Sequence, residues 1–442
     1  MFSSGITRRD LCAGAVGMLL GAAAGAAEGR RPPNIVLIIS DDHAWTDYAF
    51  MGHPHIQTPN IDRLARQSIA FRRGYVPSSL CCPSLASILT GLWPHQHRIT
   101  SNDPPMQGAG TGAARYKSQV FLAGREKMIR FMDAVPTLPR LLARQGYVSF
   151  QAGKWWQGNF RHGGFTDGMT RGEENTGGRH GDEGLKIGRQ TMTPVFDFID
   201  GAIRQDKPFF LWYAPMMPHD PHTPPAHLFE KYKAKAPTEH VARYWAMVEW
   251  FDQTVGQLMD HLDRQGLADN TIICYLADNG WIQSPDNPRF APKSKQSQYD
   301  GGLRTPILLR WPGVAPPRMI DTPVLSIDLA PTLLKAVGVQ APAGLPGVNL
   351  LDENAVLARD IIFGACFTHD AVDLDRPEKN LRWRWCLQDQ WKLIVPDGVN
   401  EKGPVELYDL IADPFEQNNL ASTEKERVKR MMVRLDAWWI AS

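Results

Sequence analysis

Almost no net charge separates the basic from the acidic side chains: 48 Lys plus Arg stand against 47 Asp plus Glu in 442 residues. No global field therefore draws the chain to nucleic acid or to an anionic membrane surface. Cysteine is scarce as well. The six cysteines are scattered without metal-site spacing and do not read as a disulfide framework. Long apolar runs are missing too. The stretch Cys12 to Ala23 is short, rich in Ala and Gly and only weakly hydrophobic, which excludes a stable membrane anchor. What is present is a 43% apolar share, enough for a large core, and a length that suits two or three domains or one large α/β domain with an appendage. Fourteen Trp can line a sugar- or ring-binding cleft, and core packing is the default role for most of them.

Residues 1–30 read as a signal rather than as fold. Thr7-Arg8-Arg9-Asp10-Leu11 precedes the apolar run, and Ala24-Gly25-Ala26 offers small residues for cleavage. The paired arginines point to the twin-arginine translocase, which moves folded proteins, and so to a periplasmic or secreted location.

The chain turns on Ser79 to Gly91. Pro83 suits a first helical position, which places Cys82 or Cys81 at the N-cap. Leu85, Ile88 and Leu89 follow at helical spacing, and Gly91 can close the helix in the left-handed region. A cysteine at that end meets unpaired N–H groups and the positive end of the helix dipole, a place that lowers a thiol pKa and accepts an anion. A buried cysteine capping a core helix is the plainer alternative.

Around it run buried strands with chemistry at their carboxyl ends, the edge where open α/β sheets hold ligands. Ile35–Ile39 leads to Ser40-Asp41-Asp42-His43. The strand Gly146–Gln151 leads to Gly153-Lys154-Trp155-Trp156. Pro208–Tyr213 leads to Pro218-His219-Asp220-Pro221-His222, and Asn270–Ala277 leads to Asp278-Asn279-Gly280. Adjacent buried carboxylates call for a cation, although one aspartate could simply cap a helix and Asn-Gly could simply turn the chain. The His219/His222 pair has zinc-like spacing, but the flanking prolines forbid a helix that would present both on one face. Tyr244–Leu262 reads as an amphipathic helix, and Asn102–Gly124 as a glycine-rich loop without periodicity. Residues 158–190 form a long polar loop whose His162, Arg179, His180, Asp182 and Glu183 fit no ligand pattern and read as solvated.

Cys81-Cys82-Pro83-Ser84-Leu85 followed by Leu89-Thr90-Gly91 resembles the sulfatase family, whose pattern is Cys-x-Pro-Ser/Ala-Arg and then Leu-Thr-Gly. Thr58-Pro59-Asn60-Ile61-Asp62 with Leu64-Ala65, Gly153-Lys154-Trp155, Pro218-His219, Asp278-Asn279-Gly280, and Lys295 ahead of Asp300-Gly301-Gly302 with Arg304 and Pro306 are similar to further family motifs. Three positions depart. Leu85 stands for an Arg that helps the maturation enzyme recognise the segment and supports the modified residue. Trp156 stands for a sulfate-contacting His, and Asp300 stands for Glu.

The resemblance implies an alkaline-phosphatase-like α/β fold, with a mostly parallel mixed sheet flanked by helices and a small carboxyl-terminal antiparallel sheet plus helix. Residues 31–345 would form the catalytic domain and 346–442 the carboxyl-terminal subdomain. It implies a sulfuric ester hydrolase in which a formylglycine-generating or sulfatase-maturing enzyme converts Cys81 to formylglycine. Asp41, Asp42, Asp278 and Asn279, with the modified Cys81, would hold Ca²⁺ in preference to Mg²⁺. Lys154 and Lys295 would clamp the sulfate, and His219 or Lys295 would protonate the leaving alcohol, with His222 and Trp156 as further substrate contacts. The expected substrate is a sulfated small molecule or glycan. A phosphoester or phosphonate hydrolase of the same superfamily, and a non-catalytic sulfated-glycan binder with unmodified Cys81, are the alternatives.

Overall fold

The first strand, β1 (Asn34–Ser40), is buried along its whole length, as its continuous β-branched and leucine run demands. Its side chains alternate between two apolar layers. Ile35, Leu37 and Ile39 pack in one layer with Leu85, Ile88 and Leu89 of the helix Cys81–Thr90. Val36 and Ile38 pack in the other with Phe251, Val255 and Leu258 of the long helix Glu239–Arg264. The computed structural model describes residues 31–172 and 179–439. The twin-arginine segment and Cys12 lie outside them.

Eight further strands complete the main sheet: β2 (Ile69–Tyr75), β3 (Val148–Gly153), β4 (Asp167–Gly168), β5 (Phe209–Ala214), β6 (Thr271–Ala277), β7 (Arg304–Arg310), β8 (Arg318–Ile320) and β9 (Val324–Leu325). The order is β4-β3-β5-β1-β6-β7-β2-β8, with β9 also on β2. The pairs from β4 to β6 are parallel, and β7 runs antiparallel to both β6 and β2. The carboxyl ends of β3, β5, β1, β6 and β2, and the start of β7, therefore meet at one edge. The expected mixed, mostly parallel sheet is observed. So is the carboxyl-terminal unit: an antiparallel sheet of β10 (Ile361–Phe367), β11 (Leu381–Gln388), β12 (Trp391–Pro396) and β13 (Glu406–Asp409), with Met431 and Leu435 of the helix Lys425–Trp438 packed on Leu393 and Leu407.

Three local expectations are corrected. The helix at Cys81 begins at Cys81 itself, with Leu80 as its N-cap, so Pro83 is its third residue. Asn102, from a distant loop, accepts the Cys82 N–H at 2.9 Å, and this supplies the missing cap. The glycine-rich loop ends earlier than its composition implies, because a helix spans Gln119–Asp133 and includes Gly124. A Cβ there would sit 2.3 Å from Pro104, so Gly124 serves close packing rather than a turn. The long helix opens at Glu239, five residues before Tyr244, where Thr238 caps the Val241 N–H. Among the described residues, no helix is long and apolar enough to cross a membrane, and five free, buried cysteines agree with the absence of a disulfide framework.

Candidate active site

Because β3, β5, β1 and β6 are neighbours, their carboxyl ends bring Lys154, His219, Asp41 with Asp42, and Asp278 with Asn279 together. Glycine allows the close approaches this needs. At Gly153, in the left-handed region at φ 97°, a Cβ would lie 2.0 Å from the Ala214 carbonyl, and Lys154 N–H donates to that carbonyl at 2.6 Å. At Gly280 a Cβ would lie 2.1 Å from the Gly301 carbonyl, so the Asp278–Gly280 and Asp300–Gly302 turns pack backbone to backbone. Gln296 N–H donates to Ser79 O at 3.1 Å and ties the Lys295 loop to the cysteine segment. Asp41 N–H donates to Met217 O, which docks the His219 segment on β1.

Asp42 is the hub. It is fully buried and held at φ 61°, a left-handed conformation that costs an aspartate little. Its Oδ1 accepts from Asn279 Nδ2 at 2.7 Å, and its Oδ2 lies 2.6 Å from Lys295 Nζ and 3.3 Å from His219 Nε2. Cys81 Sγ approaches Oδ1 at 4.0 Å. Lys154 Nζ sits 2.7 Å from Asp41 Oδ1 and 3.8 Å from Asp278 Oδ2. Burial pushes the Asp42 carboxyl up, yet Lys295, His219 and Lys154 hold it below its ordinary value. Burial, joined by Asp41, drives Asp278 well above the carboxylate range. Burial opposes the charge on Lys154, but Asp41, Cys81, Asp278 and Asp42 keep its pKa well above the ordinary value. The expected lowering of the Cys81 thiol is not observed: burial pushes it up, against the pull of Lys154 and Lys295.

Three side-chain oxygens in this cluster are buried without a hydrogen-bond partner among the described residues: Asp41 Oδ2, Asp278 Oδ2 and Asn279 Oδ1. Buried acceptors are normally satisfied, and hard oxygens left over beside a carboxylate hub fit a divalent cation. Asp41, Asp42, Cys81 and His219 also offer ligand atoms within 4.8 Å of one another.

Around the hub, His219 Nδ1 lies 2.8 Å from Asp220 Oδ1. His222 sits behind it, its ring 5.4 Å from Tyr244 and 5.9 Å from Trp281, and burial lowers its pKa to about 4. Trp156 is buried, 5.8 Å from Lys154 Nζ at its ring centre. Leu85 is buried in the apolar layer that also holds Cys81 and Trp156.

Sequence reasoning overlooked Arg125 and misplaced two further residues. Arg125, buried on the Gln119–Asp133 helix, donates to the Asn102 and Trp156 carbonyls. Arg179 and His180 lie in the loop that composition assigns to solvent, and they pack on the site. Arg179 pairs with buried Asp103 at 2.8 and 3.1 Å and stands 5.2 Å over Trp156. The other three residues named in that loop stay away from the site. Asp182 takes backbone N–H groups, while Glu183 pairs with Lys186 and His162 with Asp133 at the surface. The available signal for the exceptions is the glycine spacing, Gly181 and Gly184.

A family model described as Sulfatase matches residues 33–339, and one described as N-sulphoglucosamine sulphohydrolase, C-terminal, matches 293–437. N-acetylgalactosamine-6-sulfatase of Homo sapiens is 29% identical over 407 residues, covering 82% of this chain and 73% of that protein. Arylsulfatase A of Homo sapiens is 30% identical over 386 residues, covering 75% and 68%. The solved phosphonate monoester hydrolase of Agrobacterium radiobacter superposes with a TM-score of 0.68 at 18% identity, covering 92% of this chain and 96% of that one, so the fold alone does not choose the ester. The family match over the main sheet and the identity to named sulfatases do choose it: the chain belongs to the sulfatase family and is a sulfuric ester hydrolase.

Proposed function

We propose that the enzyme hydrolyses a sulfate ester of a carbohydrate, with Cys81 matured to formylglycine and Ca²⁺ held by Asp41, Asp42, Asp278 and Asn279. The observation that carries the reading is the pair of ammonium groups, Lys154 on Asp41 and Lys295 on Asp42, in a carboxylate cluster that leaves three buried oxygens without a hydrogen-bond partner. Calcium would supply Lewis acidity toward a sulfate oxygen and offset its charge. Formylglycine would supply a hydrated aldehyde as the nucleophile, at the helix N-terminus where the Cys81 side chain lies.

The chain's own residues do the rest. Lys154 and Lys295 hold the sulfate oxygens as buried point charges, worth more there than in water. His219, half-buried and oriented by Asp220, stands where it can give a proton to the leaving oxygen. The buried rings of Trp156 and Trp281 lie 5.8 Å from Lys154 Nζ and 5.5 Å from Lys295 Nζ and give the two ammonium groups apolar neighbours. The carbohydrate preference is supported by the relatives, one of them named for N-acetylgalactosamine 6-sulfate chemistry. The Arg8-Arg9 signal supports a periplasmic or secreted enzyme that receives its modified residue before export.

The test is the mass of the peptide containing Cys81 from protein made in its native host, beside sulfate release from a sulfated hexosamine. Conversion of CH₂SH to CHO removes about 18 daltons by atom counting. An unmodified thiol in an inactive protein rejects the hydrolytic reading.

A further inference from the structure

The Trp156 departure removes an imidazole from the sulfate pocket, and the long loop brings another one in. His180 is pinned by its backbone: its carbonyl accepts the Trp155 N–H at 3.0 Å. The following residues are seated just as closely. A Cβ on Gly181, at φ 103°, would lie 3.2 Å from the Gly153 carbonyl, and one on Gly184 would lie 2.4 Å from it. The loop is thus fastened to the Gly153-Lys154-Trp155 segment that carries the sulfate-clamping lysine. Its imidazole packs edge-on against Trp156, with centroids 4.3 Å apart at 87°, and lies 6.2 Å from the His219 ring.

The proton on that ring can be placed. Arg179 Nη1 lies 3.4 Å from His180 Nδ1, and a guanidinium has donors only, so Nδ1 is the acceptor. The neutral ring then carries its proton on Nε2. Burial, with Arg179, Lys154, His219 and Lys295 around it, holds the pKa of His180 well below the ordinary value, so it stays neutral at pH 7. The buried Trp156 Nε1–H beside it has no acceptor among the described residues, and the His180 side chain makes its hydrogen bond through Nδ1, which leaves Nε2–H for a ligand. A buried N–H without an acceptor and a second N–H free to turn to a ligand, beside Lys154 and Arg179, call for an anion.

We propose that His180 is a sulfate-contacting residue, donating Nε2–H to a sulfate oxygen, with Arg179 as the residue that sets its tautomer. The proposal rests on the sulfatase reading for its ligand but is testable without turnover. Binding of inorganic sulfate to the purified protein, by calorimetry and by thermal shift, is the primary measurement, and kcat and KM on a sulfated hexosamine are the second. His180→Ala should weaken sulfate binding about 10-fold or more and lower kcat/KM about 10- to 100-fold, the range of a hydrogen bond to a charged partner. His180→Gln, which keeps an N–H donor, should recover most of the loss, a rescue that a merely structural role would not produce. Sulfate affinity in His180→Ala within about twofold of the parent, or no rescue by Gln, overturns the proposal. A parent protein that binds sulfate through His180 but releases none from esters leaves it standing and rejects the hydrolytic reading instead.

Discussion

Replacing Lys392 with Met removes an ammonium from a closed compartment between the two sheets. Lys392, on β12, is fully buried, and its Nζ lies 2.8 Å from Asp300 Oδ1 and 2.8 Å from Glu416 Oε1, both carboxylates themselves about 1% exposed. Asp300 N–H also donates to Glu416 Oε2 at 2.6 Å. Methionine fills the space but leaves two carboxylates buried together without the ammonium. Breaking a buried ion pair from one side costs about 3–5 kcal/mol, and a shared cation should fall at the upper end. The pH dependence separates this electrostatic loss from a packing loss. Burial, with Asp300, pushes the Glu416 carboxyl up from 4.5 to about 7, and Lys392 pulls it down. A raised folded-state pKa means that the stabilisation is complete below about pH 4.5 and is lost as pH rises through 7. Without Lys392 the folded value rises further while the unfolded value stays. The variant's deficit should therefore be largest above pH 7 and shrink toward pH 5, where Glu416 is protonated in both proteins. Urea titration at pH 8 and pH 5 measures it, and adding Asp300→Asn and Glu416→Gln should return much of the stability. A deficit below about 1 kcal/mol at pH 8, or one equal at the two pH values, refutes the reasoning.

Asp278→Asn should abolish the calcium-dependent rise in melting temperature and the bound calcium measured by elemental analysis, because it takes a charge from the oxygen set; undiminished metal content rejects the ligand assignment. Gly153→Ala forces a Cβ to 2.0 Å from the Ala214 carbonyl at φ 97°, so it should destabilise by about 2 kcal/mol or more and cut activity through Lys154; a stable, active variant would show that β3 and β5 can spread. Arg8→Lys with Arg9→Lys should retain the protein in the cytoplasm, read by cell fractionation, and continued export would favour the general secretory route.

Asp41, Asp42, Lys154, His219, Asp278 and Asn279 were legible in the sequence for one reason: each lies just after a buried strand. Ile35–Ile39 could hardly be anything but a central strand, so the residues after it had to lie at the sheet edge. The same holds for Asp278 after Thr271–Ala277 and for His219 after Phe209–Ala214. The helix start at Cys81 was misplaced by two residues because its cap, Asn102, is remote in the chain, and local pattern carries no trace of a donor satisfied from so far away. Arg179 and His180 were hidden for a related reason. Nothing periodic surrounds them, and only the steric need for Gly181 and Gly184 against the Gly153 carbonyl betrays that the loop is docked rather than solvated.

Leu85 shows how such remote contacts alter what a motif departure means. Every residue of the Cys81–Thr90 helix is buried, and at position 85 an apolar side chain joins the core instead of a cation facing the site. Positive charge reaches the same neighbourhood from another element. Arg125 donates to the carbonyl of Asn102, whose side chain caps the helix at Cys82, and also to the carbonyl of Trp156, which borders Lys154 and His180. One buried guanidinium thus joins the cap of the cysteine helix to the strand end that carries the sulfate clamp. Burial opposes that charge, and Asp103 favours it; Asp103 is in turn held by Arg179. The chain Arg125, Asp103, Arg179 and His180 surrounds Trp156 with charge and donors from three separate segments. A residue-by-residue motif comparison scores Leu85 and Trp156 as two losses, whereas the packing shows basic groups brought back to the same wall from elsewhere in the fold.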